Sequence, residues 1–271
     1  MKRKCKKRFN KKVIVLFMVT FLLGVLCGRI VFAKVEENVK VTEAVLQETK
    51  VKLWDFEPPK QDTESRINID EKHVHENHIH EEEAWNLVLV NGKNSMEEGY
   101  KPELAEVENN YDVDKRIVQD LQQMLSDGRK EGLDFWICSA YRSMEKQTSL
   151  FENKVQRVMA EKGLDYEEAV KEAGTEVAYP GTSEHQIGLA VDIVAKDYQI
   201  LDEKQAETAE AKWLKENCWR YGFILRYPPD KTEETGIIFE PWHYRYVGIE
   251  AAKEIMEQGI CLEEYLENME S

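Results

Sequence analysis

Residues 13–33 form an apolar stretch of 21 residues that contains a single charged side chain, Arg29. About 20 apolar residues are enough to cross a bilayer as a helix. Eight basic side chains and no acidic one precede the stretch. The positive-inside rule therefore predicts that residues 1–12 are a cytoplasmic basic segment and that the rest of the chain is exported. Any folded domain must then lie within residues 34–271.

Residues 13–33 fit two interpretations. An uncleaved transmembrane signal-anchor would keep the protein in the cell membrane, single-pass, with the following residues extracytoplasmic. A cleaved signal peptide would release it, and the basic start, the apolar core and the small Ala33 are also typical of such a peptide. We favour the anchor, because the exported part is strongly acidic and an anchor would hold it near an anionic cell surface without electrostatic help.

The charge of the exported part excludes one class of partner. The chain has 37 Lys and Arg against 52 Asp and Glu. Nine of the basic residues lie in residues 1–33, so residues 34–271 carry 28 basic and 52 acidic side chains, a net charge of −24. Long-range repulsion would oppose binding to a phosphate backbone, so nucleic acid is not expected as a partner.

Residues 34–83 have the composition of an acidic stalk or linker. They are rich in Glu, Lys, Gln and Thr and show no sustained apolar period. Four of the chain's six histidines lie here, at His73, His75, His78 and His80. They are either a surface site for a transition metal or part of a solvated polar stretch, and we favour the second interpretation because no carboxylate or cysteine partner stands at a fixed place beside them.

Residues 84–271 have the pattern of a folded domain. Predicted strands cover residues 85–90, 134–140, 189–195, 223–226 and 237–247, and predicted helices cover 114–130, 203–220 and 249–258, with two more in 144–172 broken near Gly163. Helices and strands alternate without a regular βαβ rhythm, which favours an α+β fold with a mostly antiparallel sheet and flanking helices. Cys138, Cys218 and Cys261 show no paired spacing and are interpreted as small buried hydrophobic residues.

Two short strings contain a candidate zinc site. The first, SEHQIGLAVDI, supplies His185 and Asp192 with Gly188 between them. On one helix, residues seven apart would be separated by about 10 Å, too far for two bonds of about 2 Å to one ion. A turn at Gly188 that enters a strand would bring them together. The second string, EPWH, adds His243 as a third ligand and Glu240 beside an open position, the arrangement of a catalytic zinc.

The same residues also fit a structural interpretation. A histidine beside a tryptophan is usually a satisfied core or surface residue, and Asp192 could cap a turn. Against this, a charged Asp within LAVDIV is costly to bury unless it is paired or bound to metal. Spacing alone leaves the two interpretations about equal.

Three strings in a fixed order resemble the VanY-type D-alanyl-D-alanine carboxypeptidases. The matching residues are Tyr141-Arg142-Ser143 with Gln147, then GTSEHQIGLAVD from Gly181 to Asp192, then EPWHYRYV from Glu240 to Val247. The resemblance covers about residues 84–260. The family belongs to a zinc-dependent group that also contains D-alanyl-D-alanine dipeptidases and L,D-carboxypeptidases.

The resemblance implies a hedgehog/DD-peptidase-like α+β fold. It implies that one zinc ion is held by His185, Asp192 and His243. It also implies that Glu240 is the catalytic base and that Arg142 steadies the scissile carbonyl or the oxyanion.

Further positions match the family's substrate pocket. The resemblance implies substrate-binding roles for Ser183, Gln147 and Ser143. Residues 237–239, just before Glu240, are less aromatic than the family pattern, which leaves the pocket's side-chain preference open.

The expected function is that of an exported, monomeric zinc carboxypeptidase domain that removes the terminal D-Ala from peptidoglycan stem peptides. An L,D-carboxypeptidase and a D-Ala-D-Ala dipeptidase of the same group are alternatives. A catalytically silent, zinc-stabilised wall-binding module is another, although retention of Glu240 favours an enzyme. D-Ala removal would serve either wall remodelling or glycopeptide resistance.

Overall fold

The computed structural model describes residues 85–270. The predicted membrane segment, the stalk and the histidine cluster lie outside these residues. Within residues 85–270, no helix is long and apolar enough to cross a membrane.

A four-stranded antiparallel sheet organises the domain. The described residues contain six strands in two sheets. They are β1 (Leu104–Glu106), β2 (Asp112–Asp114), β3 (Phe135–Ser139), β4 (Ala190–Ala195), β5 (Phe223–Leu225) and β6 (His243–Tyr246). Strands β1 and β2 pair with each other, and the larger sheet has the order β3-β4-β6-β5 with every pairing antiparallel. The predicted α+β class with a mostly antiparallel sheet is therefore confirmed.

Seven α-helices accompany the sheets in the described part of the chain. They are α1 (Val118–Lys130), α2 (Met144–Lys162), α3 (Tyr166–Ala173), α4 (Ala209–Asn217), α5 (Thr232–Thr235), α6 (Ile249–Gln258) and α7 (Leu262–Met269). The predicted break between α2 and α3 is confirmed. Gly163 ends α2 in the left-handed conformation at φ 67°, and Asp165 starts α3 with a capping box.

Strand β4 crosses the centre of the domain and is buried along its whole length. Val191 and Ile193 belong to the main core, together with Leu121 and Leu125 of α1. Since side chains alternate across a strand, Asp192 between them points away from this core. The strand thus supports the core with one face and presents a carboxylate on the other.

The predicted strand at residues 85–90 is wrong. Residues Trp85–Leu87 form a single 3-10 turn, and the residues after it pair with no strand of the described chain. The Arg245 guanidinium donates hydrogen bonds to the carbonyl oxygens of Asn86 and Val88 at 3.0 and 2.8 Å. A side chain therefore satisfies backbone groups that a neighbouring strand would otherwise satisfy.

Two other predicted elements are shorter than expected. Of residues 237–247 only β6 is a strand, because Pro241 has no N–H to donate and the His243 amide closes a turn onto the Glu240 carbonyl. The predicted helix 203–220 is divided by the extended residue Thr208, which caps α4, and its last residues form a 3-10 turn that ends at Gly222 as expected.

The state of the cysteines and two further elements complete the comparison with the sequence predictions. Cys218 and Cys261 are buried, Cys138 is half-buried, and none of the three forms a disulfide within the described residues. The sequence patterns did not reveal the short β1–β2 pair or the final helix α7.

Gly188 is where the chain turns into β4, and it allows a stability test. Its φ is 73°, and a Cβ placed there would lie 2.9 Å from the Asp114 backbone nitrogen. At Gly163, whose φ is 67°, a Cβ would meet nothing within 4 Å. We expect Gly163→Ala to lower the free energy of unfolding by about 1–2 kcal/mol through backbone strain alone. Gly188→Ala should cost about 1–3 kcal/mol more, because a clash is added.

Urea unfolding followed by circular dichroism would measure both variants. Equal losses for the two would show that the close approach to β2 does not constrain the turn.

Candidate metal centre

Three side chains that are distant in sequence converge beside β4. Asp192 on β4 and His243 on β6 are direct partners in the antiparallel register. His185 lies in the 3-10 turn Glu184–Ile187, which Gly188 ends in the left-handed conformation just before β4. One ligand atom from each of the three side chains lies within 4.8 Å of the others. The predicted convergence through a turn at Gly188 is confirmed.

Two of the separations between these side chains match those around a tetrahedral ion. His185 Nε2 lies 3.3 Å from Asp192 Oδ2, and His243 Nδ1 lies 3.2 Å from Asp192 Oδ1. Ligands at 2.0–2.1 Å from a tetrahedral zinc are separated by about 3.3 Å. His185 Nε2 and Asp192 Oδ1 are buried without a hydrogen-bond partner. Buried polar atoms without a hydrogen-bond partner are rare in folded proteins. The presence of two of them in one site therefore indicates that the site binds a cation.

The other nitrogen of each imidazole is occupied. His185 Nδ1 donates to the Ala140 carbonyl oxygen at 2.7 Å, and His243 Nε2 lies 3.4 Å from Glu184 Oε2. With a cation bound between the inner nitrogens and Asp192, these contacts would hold a proton on each outer nitrogen, the usual support for metal-binding histidines. Burial, with the nearby Arg142 charge, lowers the pKa of His185 to about 4 and keeps its imidazole neutral.

The electrostatics of the remaining groups favour a positive charge at this place. Burial opposes protonation of His243, but the carboxylates of Asp192 and Glu184 raise its pKa to about 9. Glu240 Oε2 lies 3.6 Å from His243 Nδ1. Burial raises the pKa of Glu240 to about 8, the direction required of a carboxylate that exchanges a proton near neutral pH.

Arg142 is fixed beside the three candidate ligands. Its Nη2 donates to Asp192 Oδ2 at 2.7 Å, and its Nε donates to Ser139 Oγ at 2.8 Å. Its backbone amide donates to the His185 carbonyl oxygen at 3.1 Å. Strand β3 loses its regular register just before Ser139, which directs the following residues toward the site.

The three predicted substrate-binding residues differ in position. Ser183 lies on the cleft described below and is 4% exposed. Gln147 is fully buried; its Nε2 donates to the Ala178 carbonyl oxygen at 2.7 Å and its Oε1 accepts from Arg142 at 3.4 Å. Ser143 caps α2 by accepting from the Lys146 amide. Gln147 and Ser143 thus support the cleft from behind, whereas Ser183 belongs to its lining.

A buried ionic cluster supports His243 from behind. Glu184 Oε1 accepts from Arg226 Nε at 2.7 Å and from Arg245 Nη1 at 2.8 Å. Arg226 also forms two parallel hydrogen bonds to Glu263 of α7, at 2.8 and 2.7 Å. Burial alone would raise the pKa of Glu184, but the two guanidinium groups hold it well below its ordinary value.

Sequence reasoning missed this cluster. Arg226 and Arg245 each follow apolar or aromatic residues in a strand region, and both are fully buried. An arginine inside such a string is costly to bury without a carboxylate partner, so the pattern itself was the available signal. The partner, Glu184, was visible only as the neighbour of a candidate ligand.

The metal centre opens onto a cleft of about 470 Å³. Its walls come from α2 and from residues 176–178, 201–203 and 237–240. Glu240 and Arg142 both line it next to the candidate ligands. A buried His–Asp–His group with a carboxylate and an arginine at the end of a cleft defines the site of a metal-dependent hydrolase.

The comparisons with known proteins identify the family. The family model VanY, described as D-alanyl-D-alanine carboxypeptidase, matches residues 110–249. The chain belongs to the VanY family of D-alanyl-D-alanine carboxypeptidases.

Similar proteins agree in sequence and in structure. A D-alanyl-D-alanine carboxypeptidase of Enterococcus faecalis is 48% identical over 186 residues, which cover 69% of this chain and 67% of that protein. A mutant of the vancomycin-resistance D,D-pentapeptidase VanY, solved in complex with Zn(II), is 48% identical with a TM-score of 0.61, covering 67% of this chain and 99% of that one. VanYB in complex with D-alanine-D-alanine is 48% identical with a TM-score of 0.62, covering 68% and 98%. The predicted family is confirmed, and zinc is the metal that fits this site.

Glu184→Gln tests whether the cluster supports the metal centre. We expect it to lower the free energy of unfolding by about 3 kcal/mol, because two buried guanidinium groups lose an anion. It should also weaken zinc binding about 10- to 100-fold, because the partner of His243 Nε2 changes. Competition with a chromogenic chelator would measure the zinc affinity.

Glu263→Gln is the matched control. It removes a charge from the same cluster without contact to His243, so it should lower stability and leave zinc affinity nearly unchanged. Equal zinc affinity in the two variants would contradict the role given to Glu184.

Proposed function

We propose that this protein removes the C-terminal D-alanine from peptidoglycan stem peptides, and that His185, Asp192 and His243 hold the zinc ion that the reaction needs. The observation that supports this most is the set of inward-facing, unpartnered atoms beside β4, with Glu240 and Arg142 on the same cleft. Family membership and the D-alanine-D-alanine complex of VanYB support the substrate class.

The residues around the metal centre have separate roles in the proposed reaction. A zinc ion bound here would supply Lewis acidity, which makes a water molecule nucleophilic near neutral pH. Glu240 would take a proton from the attacking water and return it to the leaving amine, so one carboxylate would serve as base and then as acid. Its burial on the cleft keeps both transfers away from bulk solvent.

Arg142 has a separate role in the proposed reaction. Its guanidinium steadies the carbonyl oxygen as negative charge develops there, an effect worth about 3–4 kcal/mol for one well-placed donor. Ser139 and Gln147 hold the side chain in place, so little reorganisation is needed during the reaction. Ser183 contributes a hydroxyl to the lining of the same cleft.

We also propose that residues 13–33 anchor the protein in the membrane, that residues 34–83 form the stalk, and that residues 84–271 work outside the cell as a monomer. The distribution of charge along the chain supports this topology. N-terminal sequencing of the mature protein from the membrane fraction tests it. A protein that starts near residue 34 and is found in the medium would show a cleaved signal peptide instead.

Removal of the metal should abolish D-alanine release. Dialysis against a chelator should lower the rate to background, and one equivalent of zinc should restore it. His185→Ala should neither retain zinc after dialysis nor recover activity. Metal analysis and an assay for free D-alanine would follow both quantities, and activity that persists without bound metal would refute the proposed mechanism.

Glu240→Gln tests the proton-transfer role separately from metal binding. It should keep its zinc and lower kcat by roughly 10²- to 10⁴-fold, the usual contribution of a general base. Glu234→Gln, an exposed carboxylate six residues earlier in the chain, is the control and should leave kcat unchanged. A fully active Glu240→Gln enzyme would exclude this residue as the base.

The products of three substrates distinguish the members of this enzyme group. The protein should release D-alanine from a stem pentapeptide, and mass spectrometry of the products would show it. Release from a tetrapeptide alone would indicate an L,D-carboxypeptidase, and cleavage of free D-alanyl-D-alanine would indicate a dipeptidase. Zinc binding with no product from any substrate would indicate a silent binding module.

A further inference from the structure

Two charged side chains on the cleft have no partner. Arg157 of α2 and Glu203 line it, both are exposed, and neither makes a hydrogen bond or an ion pair within residues 85–270. Other charged groups away from the metal centre are engaged: Lys154 pairs with Glu176, and Asp202 accepts hydrogen bonds from a tyrosine hydroxyl. One free cation and one free anion therefore line the same cleft without pairing with each other.

The position of Arg157 along α2 gives a distance from the reaction centre. Gln147, near the start of the helix, contacts Arg142, and Leu150 and Lys154 line the cleft at helical spacing between Gln147 and Arg157. Ten residues of α-helix span about 15 Å. An extended peptide rises about 3.3 Å per residue, so a substrate that reaches from the metal centre to Arg157 must extend well beyond a dipeptide. Arg157 is thus several residues away from the bond that is cut.

A peptidoglycan stem peptide carries complementary charges in that region. Its glutamate is linked through the side chain and so keeps a free α-carboxylate, and the diamino acid that follows can keep a free amine. Both residues precede the terminal D-alanines. A guanidinium can bind a carboxylate through two parallel hydrogen bonds, and a carboxylate suits an ammonium group.

We propose that Arg157 binds the free α-carboxylate of the stem glutamate and that Glu203 binds the free amine of the next residue. This inference rests on the proposed function and specifies its substrate. The two side chains recognise the substrate remotely from the reacting bond and are not catalytic. A free dipeptide is too short to reach Arg157, so this contact favours stem peptides over D-alanyl-D-alanine.

Four pentapeptides test the assignment. The stem glutamate carries either a free carboxylate or a carboxamide, and the diamino residue carries either a free amine or an acetylated one. Each pentapeptide is hydrolysed by the full-length wild-type protein and by Arg157→Gln, Glu203→Gln and Lys146→Gln. Lys146 lies on α2, is exposed and does not line the cleft, so its variant controls for the change in charge.

Each cleft variant is expected to lose one substrate preference and to keep the other. The wild-type protein should prefer the carboxylate over the carboxamide by roughly three- to fivefold in kcat/KM, the size expected for an exposed ion pair. Arg157→Gln should lose this preference and keep the preference for the free amine, and Glu203→Gln should do the reverse. Lys146→Gln should keep both. Both preferences should weaken as salt is added.

Other outcomes overturn the assignment. Equal rates for carboxylate and carboxamide in the wild-type protein would exclude the role of Arg157, and equal rates for amine and acetylated amine would exclude that of Glu203. A variant that slows all four peptides by the same factor would show only a general effect on the cleft. If the wild-type protein releases D-alanine from none of the peptides, the proposed function itself fails, which is a different result.

Discussion

The buried carboxylate of Glu184 connects the parts of the domain that are most distant in sequence. One of its oxygens accepts from Arg226, which follows β5, and from Arg245 in β6. Arg226 continues to Glu263 in α7, and Arg245 continues to backbone carbonyls near residue 86. The other oxygen faces His243. Both ends of the described chain and one candidate zinc ligand are therefore positioned by a single acidic side chain.

Such a cluster is not the most stabilising way to fill a protein interior. Removing charges from water costs several kcal/mol per ion, and well-packed apolar residues often do as well or better. What the ion pairs provide here is a fixed orientation. Two arginines balance two glutamates, and their guanidinium groups fix the carboxylate that contacts the His243 imidazole. The cluster orients a ligand as well as joining elements, which gives a reason for retaining charge in this position.

The sequence was informative where the constraint was local and less so where it was not. Gly188 and the apolar string around Asp192 predicted a turn into a buried strand, and the antiparallel register then paired Asp192 with His243. The strand expected at residues 85–90 failed because its carbonyl groups bond to Arg245, more than 150 residues away. The periodicity of a sequence cannot reveal that a distant side chain, and not a neighbouring strand, donates hydrogen bonds to these carbonyl groups.

Helix α2 bears both a residue that supports the metal centre and the residue proposed to recognise the substrate. Its first turns hold the buried Gln147 against Arg142, so a change at Gln147 would disturb the fold as well as the reaction. Its later turns expose Arg157 to the cleft, where substitution disturbs little packing. Because one rigid helix bears both residues, the distance between the cut bond and the recognised group is set by helix geometry. Substrate preference can then change at the exposed end of the cleft while the buried end, and with it the reaction, stays the same.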